Sequence, residues 1–185
     1  VQAAGPDDAR ARLFWQRLSA KPYQFDLMHS LRYLQARHPA LPRLGQATRP
    51  KDEPLRLGQD PSLAFAPATI AEILPSRAGE PERMTVWNFG LYGPNGPLPT
   101  HITEYVRERL RQHDDATLAR FSDIFHHRML LLLFRAWSDA QPTASLDRPG
   151  EDPFGRYIDS FIGAGLPSQR ARDDVPDHAL SLIHI

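Results

Sequence analysis

Apolar positions fall into three regimes along the chain. Up to His38 they recur at helical spacing. Ala9, Leu13, Trp15 and Leu18 share a segment that Asp7 and Asp8 can cap and Lys21-Pro22 breaks. Leu27, Leu31 and Leu34 mark one face of a second helix. Asp26 can cap it, and His38-Pro39 ends it, because the residue before a proline disfavours the helical region. From residue 39 to 99 the regular spacing gives way to short runs. Residues 55–57, 62–66 and 83–91 predict strands, and 69–74 a helical turn. In the last strand Met84, Val86 and Asn88 alternate with Thr85, Trp87 and Phe89, so one face is largely aromatic. Helical spacing returns at Ile102, Tyr105, Val106 and Leu110, with Glu104, Arg107, Glu108 and Arg111 on the wet faces. Asp114 or Asp115 then caps a long helix to about Asp139. Its apolar residues come to occupy every side, which predicts burial by several neighbours. Residues 153–162 predict a further helix. The expected class is α+β, mainly helical: an N-terminal helix pair, a proline-rich middle with short strands, then long buried helices.

Composition sharpens this picture. Of 18 prolines, eleven lie between Pro39 and Pro99 and none between Thr100 and Gln141. A long segment of low regularity is usually a functional or binding surface. The 22 basic and 22 acidic residues cancel, so bulk charge offers little drive towards nucleic acid, despite 20 arginines against two lysines. With no cysteine there is no thiol chemistry. The longest apolar run, residues 129–134, is far below the roughly 20 residues of a membrane-spanning helix. The chain reads as a single, incomplete domain over residues 1–180. It stops inside an apolar stretch, and residues 181–185 read as a non-native tail.

Two constellations invite chemistry. Asp123 and His127 sit four apart on the long helix, with His126 adjacent, a possible metal set and the basis of an alternative reading as a metal-binding enzyme. Adjacent histidines point about 100° apart on a helix, and no third ligand is evident, so hydrogen-bonded histidines explain the trio better. The loop from Gly90 through Gly93 and Gly96 to Pro99 follows a strand and precedes a helix, where phosphate loops occur. Pro94, Pro97 and Pro99 remove amide donors and no lysine is present, so a rigid, shaped turn is the better reading. No G-x-S-x-G elbow exists. Arg128 and Arg135 lie seven apart on one face of the long helix, placed to pin it to a neighbour or to the same domain.

Several ordered blocks together resemble one family. They are Phe89-Gly90-Leu91-Tyr92-Gly93-Pro94-Asn95-Gly96-Pro97-Leu98-Pro99-Thr100-His101-Ile102-Thr103-Glu104-Tyr105, then Asp123-Ile124-Phe125-His126-His127-Arg128, then Phe134-Arg135-Ala136-Trp137. Upstream, Pro22-Tyr23-Gln24-Phe25-Asp26 and Leu55-Arg56-Leu57-Gly58-Gln59 match in order. The chain resembles the N-terminal portion of TssG (VasB, ImpH), a baseplate subunit of the bacterial type VI secretion system. The resemblance implies a non-catalytic structural protein without cofactor or metal. It would join TssF-like and TssK-like subunits in a hetro-oligomeric wedge, in the cytoplasm, docked at the inner membrane through partners without inserting into it. Candidate interface residues are Trp87, Phe89, Leu91, Tyr92, Pro94, Asn95, Pro97, Leu98, Arg128, Arg135 and Trp137. The structural motif is Gly90, Gly93, Gly96, Pro99, His101, Glu104, Tyr105, Asp123, His126 and His127.

Overall fold

The computed structural model describes residues 6–74, 81–148, 153–169 and residue 172. Residues 181–185, expected to be a non-native tail, lie outside them. Contacts divide the chain into two units, residues 1–137 and 138–185.

The first unit opens with the expected helix pair, α1 (Pro6–Ala20) and α2 (Leu27–Arg37). Asp26 caps α2, its Oδ1 accepting from the His29 amide at 3.1 Å, and Leu27, Leu31 and Leu34 are buried as their spacing predicts. Three strands follow, β1 (Leu55–Gln59), β2 (Ile70–Leu74) and β3 (Glu82–Val86). Their order is β1-β3-β2, with β1 parallel and β2 antiparallel to the central β3. Leu55, Leu57, Ile70, Ile73, Met84 and Val86 join α2 and the long C-terminal helix in one apolar core. Two more helices complete the unit, α3 (Thr100–Gln112) and α4 (Thr117–Asp139). Tyr92, Val106 and Ala119 form a second, smaller core with Leu98, Ile102 and Leu110 against it.

The α+β, mainly helical class is as expected, but several elements differ in detail. Residues 69–74 are strand, not a helical turn. A bulge between Ile70 and Glu72 shifts the phase, so Ile70 and Ile73 both face the core at a spacing that mimics a helix. Residues 62–66 form no strand; Pro61 and Pro67 bracket them, and Ser62 Oγ takes the Ala64 amide. The strand expected to reach residue 91 ends at Val86, where the chain turns through Gly90 at φ 148°. Helix α4 is not covered on every side. Leu130, Leu131 and Phe134 are buried, whereas Phe121, Ile124, Phe125, Met129 and Leu132 remain exposed, because this unit packs against one face only.

In the second unit, α5 (Pro142–Leu146) and α6 (Pro153–Phe161) are short. Gly163, at φ 79°, ends the turn after α6, where the Ala164 amide donates to the Asp159 carbonyl at 2.7 Å. Ala144 and Ala164 are buried, while Tyr157 and Phe161 are exposed.

These two faces of α4 predict opposite mutational costs. Phe134→Ala should destabilise by about 3–5 kcal/mol through loss of a fully buried ring. Phe125→Ala should stay within about 0.5 kcal/mol in the isolated chain. Urea unfolding midpoints of the two variants measure the contrast.

Candidate functional site

One turn of α4 carries Asp123, His126 and His127, and all three side chains are buried in the first unit. Asp123 and His127 face the outer edge of β1. The Leu57 amide donates to His127 Nδ1 at 3.1 Å, and the Gln59 amide donates to Asp123 Oδ1 at 3.2 Å. The match is metric. Residues four apart on a helix are separated by about 6 Å along its axis, and residues two apart on a strand by about 6.6 Å. Asp123 and His127 can therefore serve two successive outward amides of one strand. This satisfies donors that an edge strand otherwise leaves open. Gly58 lies between those amides, and a Cβ there would overlap the Asp123 carboxylate.

Asp123 also takes the charge of β3. Arg83 Nη1 donates to its Oδ2 at 2.7 Å, and both groups are largely shielded from water. Arg120 approaches the same oxygen at 3.7 Å. His126 turns the other way, as the offset between adjacent helical residues requires. Its Nε2 accepts the Leu91 amide at 3.0 Å, which leaves the proton on Nδ1, facing Asp123 Oδ1 at 3.2 Å. His127 Nδ1 is likewise an acceptor, so its proton sits on Nε2. The lone pair of each ring is spent on a backbone amide, which leaves neither free for a metal.

The glycine-proline loop is bolted to this seam. The Gln59 side chain bonds both groups of the Tyr92 backbone, Nε2 donating to the carbonyl and Oε1 accepting the amide, each at 2.8 Å. The Gly93 amide donates to Thr103 Oγ1 at 3.1 Å, and the Tyr92 hydroxyl meets Ser122 Oγ. Burial pushes the Tyr92 phenol up. The loop's far half faces water: Pro94, Asn95 and Pro97 are exposed, Trp87, Phe89, Leu91 and Leu98 half-buried. A shallow cavity of about 120 Å³ lies between this half and residues 64–66, where Phe65 is exposed.

The remaining sequence candidates lie elsewhere. His101, Glu104 and Tyr105 are exposed on α3, whose N-terminus Pro99 begins. Arg128 and Arg135 both donate to the Gly45 carbonyl, at 3.2 and 3.4 Å, so they pin α4 within their own unit. Gly45, at φ 82°, also gives its amide to the buried Glu53 carboxylate at 2.9 Å. Burial raises the pKa of Glu53, against hydrogen bonds from Gly45 and Ala47. Trp137 stacks on Phe134 and meets His29 edge-on. Gln59, Glu53, Ser122 and Thr103 were not singled out from sequence as chemical candidates. A glutamine at a strand end does not announce a backbone clamp.

Of the motif residues, Asp123, His126 and His127 thus join α4 to β1 and to the loop in one connected seam, while His101, Glu104 and Tyr105 stand apart on α3. The family model described as "Type VI secretion, TssG" matches residues 21–185. The chain belongs to the TssG family. TssG proteins are structural components of the type VI secretion baseplate, which places this chain among subunits of a hetero-oligomeric assembly. No curated protein and no solved structure matches it significantly. Among the described residues, no helix of this TssG-family chain is long and apolar enough to cross a membrane.

The seam has a pH signature. Desolvation, with Arg56 and Arg83 nearby, lowers the His127 pKa from 6.5 to about 4. Its contribution to stability is complete above about pH 6.5. It declines as pH falls towards 4, because the unfolded chain takes up a proton that the folded chain refuses. The loss should reach about 3 kcal/mol at most. His127→Asn keeps an acceptor for the Leu57 amide, so urea titrations at pH 7.5 and 4.5 should show a smaller acid loss than wild type. Glu53 and Asp60, both raised by burial, act in the opposite sense in either protein and cancel in the comparison. A second expectation concerns Asp123→Asn, which strands Arg83 beside a neutral amide. It should cost about 2–4 kcal/mol by the same unfolding measurement.

Proposed function

We propose that this chain is a non-catalytic bridging subunit of the baseplate wedge, joining TssF-like and TssK-like partners in the cytoplasm and reaching the inner membrane through them. The family match over residues 21–185 carries this reading. The polar residues of the seam support it, because Asp123, His126, His127 and Gln59 bond loop, sheet and helix together. A rigid scaffold loses little entropy on docking, which suits a subunit whose task is to hold others at fixed positions. On this reading no cofactor or metal takes part. Among the interface candidates, Pro94, Asn95 and Pro97 at the loop tip and Arg128 on α4 are exposed, with Trp87, Phe89, Leu91 and Leu98 half-buried beside the tip. Tyr92 is buried and acts as an anchor for that tip.

Co-expression with the TssF-like and TssK-like subunits encoded in the same gene cluster tests the reading. A soluble complex containing both is expected after affinity purification on this chain. Recovery of this chain alone, from cells in which all three are soluble, would count against it.

A further inference from the structure

We infer that the outer face of α4 seats a single amphipathic helix of another baseplate subunit, apolar along its seam and acidic along the one flank that meets Arg120 and Arg128. The inference rests on the baseplate reading and adds the chemistry of the partner. Leu118, Phe121, Phe125, Met129 and Leu132 follow one another at spacings of three and four, the repeat that holds two helices side by side. Ile124, beside them, is 65% exposed. The row from Leu118 to Leu132 runs about 21 Å along the helix. It leaves on the order of 600 Å² of apolar surface bare. That is the upper end of what a monomer ordinarily exposes, and most of one side of a standard interface of about 800 Å² per partner. A straight row on one helix fits another helix better than a point anchor or a sheet.

Charge selects the occupant. The exposed charged residues on α4 between Thr117 and Ala136 are Arg120 and Arg128; the acid in that stretch, Asp123, is buried against Arg83. Arg128 spends one nitrogen on the Gly45 carbonyl, and Arg120 reaches Asp123 only at 3.7 Å, so both guanidiniums have donor capacity left for carboxylates at the rim. A second copy of this chain would bring the same two arginines and a lone exposed carboxylate, Asp139, at the helix end. Pairing copies sets like charges together along the seam, whereas an acidic-flanked helix from another subunit complements it.

The chain lacks cysteine, which makes placement of a probe direct. The experiment uses this protein co-expressed with the TssF-like and TssK-like subunits of its gene cluster. Phe125→Cys and Leu132→Cys, labelled with a benzophenone maleimide and irradiated in the purified complex, are expected to cross-link to another subunit. The captured peptide should carry apolar residues at the helical spacings of three and four, with Asp or Glu along one flank. The double variant Phe125→Glu/Leu132→Glu should keep its own circular dichroism and melting temperature, since both sites are exposed, and recover roughly tenfold less complex. Cross-links to the same chain, to a second copy or to a peptide without that pattern would overturn the inference. So would undiminished recovery of complex by the double variant. If the wild type itself recovers no partner, the baseplate reading has failed and the inference falls with it; a wild type that assembles beside a double variant that also assembles refutes the inference alone.

Discussion

The structure depends on a spacing match. Two outward amides of β1 need acceptors, and one turn of α4 places Asp123 and His127 at nearly the same separation. That pairing fixes both the height and the rotation of α4 against the sheet. Once the helix is set, its other residues have no freedom. His126 must face the Leu91 amide, Ser122 must face the Tyr92 hydroxyl, and Leu130, Leu131 and Phe134 must enter the core. The same act leaves the opposite apolar row in water. A buried seam made of polar bonds is also directional, as apolar contact alone is not.

The glycine-proline loop shows what such a seam makes possible. Three prolines thin out the loop's own amide donors, leaving the Gly96 amide to bond the Gly93 carbonyl at 3.1 Å and the Leu98 amide the Leu91 carbonyl at 3.3 Å. Here it is held from inside, by the Gln59 side chain and by His126, while its tip projects outward. The base of the loop is therefore fixed from the interior, while the tip closes on its own Gly93–Gly96 turn. This division between an anchored base and a projecting tip is what a docking element needs, because the ordering cost is met during folding and not during assembly.

Much of the helical framework could be read from the residues. Asp26 as cap, the Leu27, Leu31, Leu34 face and the break at His38-Pro39 all follow from local rules that act within one or two turns. The histidine pair was also legible as hydrogen-bonded, because adjacent helical positions diverge by about 100°. The middle of the chain was not legible to the same degree. The bulge beside Ile70 moved two isoleucines onto one face and disguised a strand as a helical turn. The sheet order, with sequence-distant β1 and β3 paired in parallel, depends on contacts that no local pattern encodes.

Local propensity and spacing settled the longer helices, about where they start and stop, and that Asp123, His126 and His127 share one turn; they did not find α5 and misread residues 69–74. Those properties depend on neighbours within a few residues. Which acceptor serves which amide, which face of α4 is covered, and why Gln59 matters more than its surroundings emerged from packing across distances of 33 to 70 residues in sequence. The apolar composition of α4 is equal to burial on every side; the described residues of its own unit cover one. That difference between what a helix could bury and what its own unit covers is a property of three dimensions, out of reach of any local pattern.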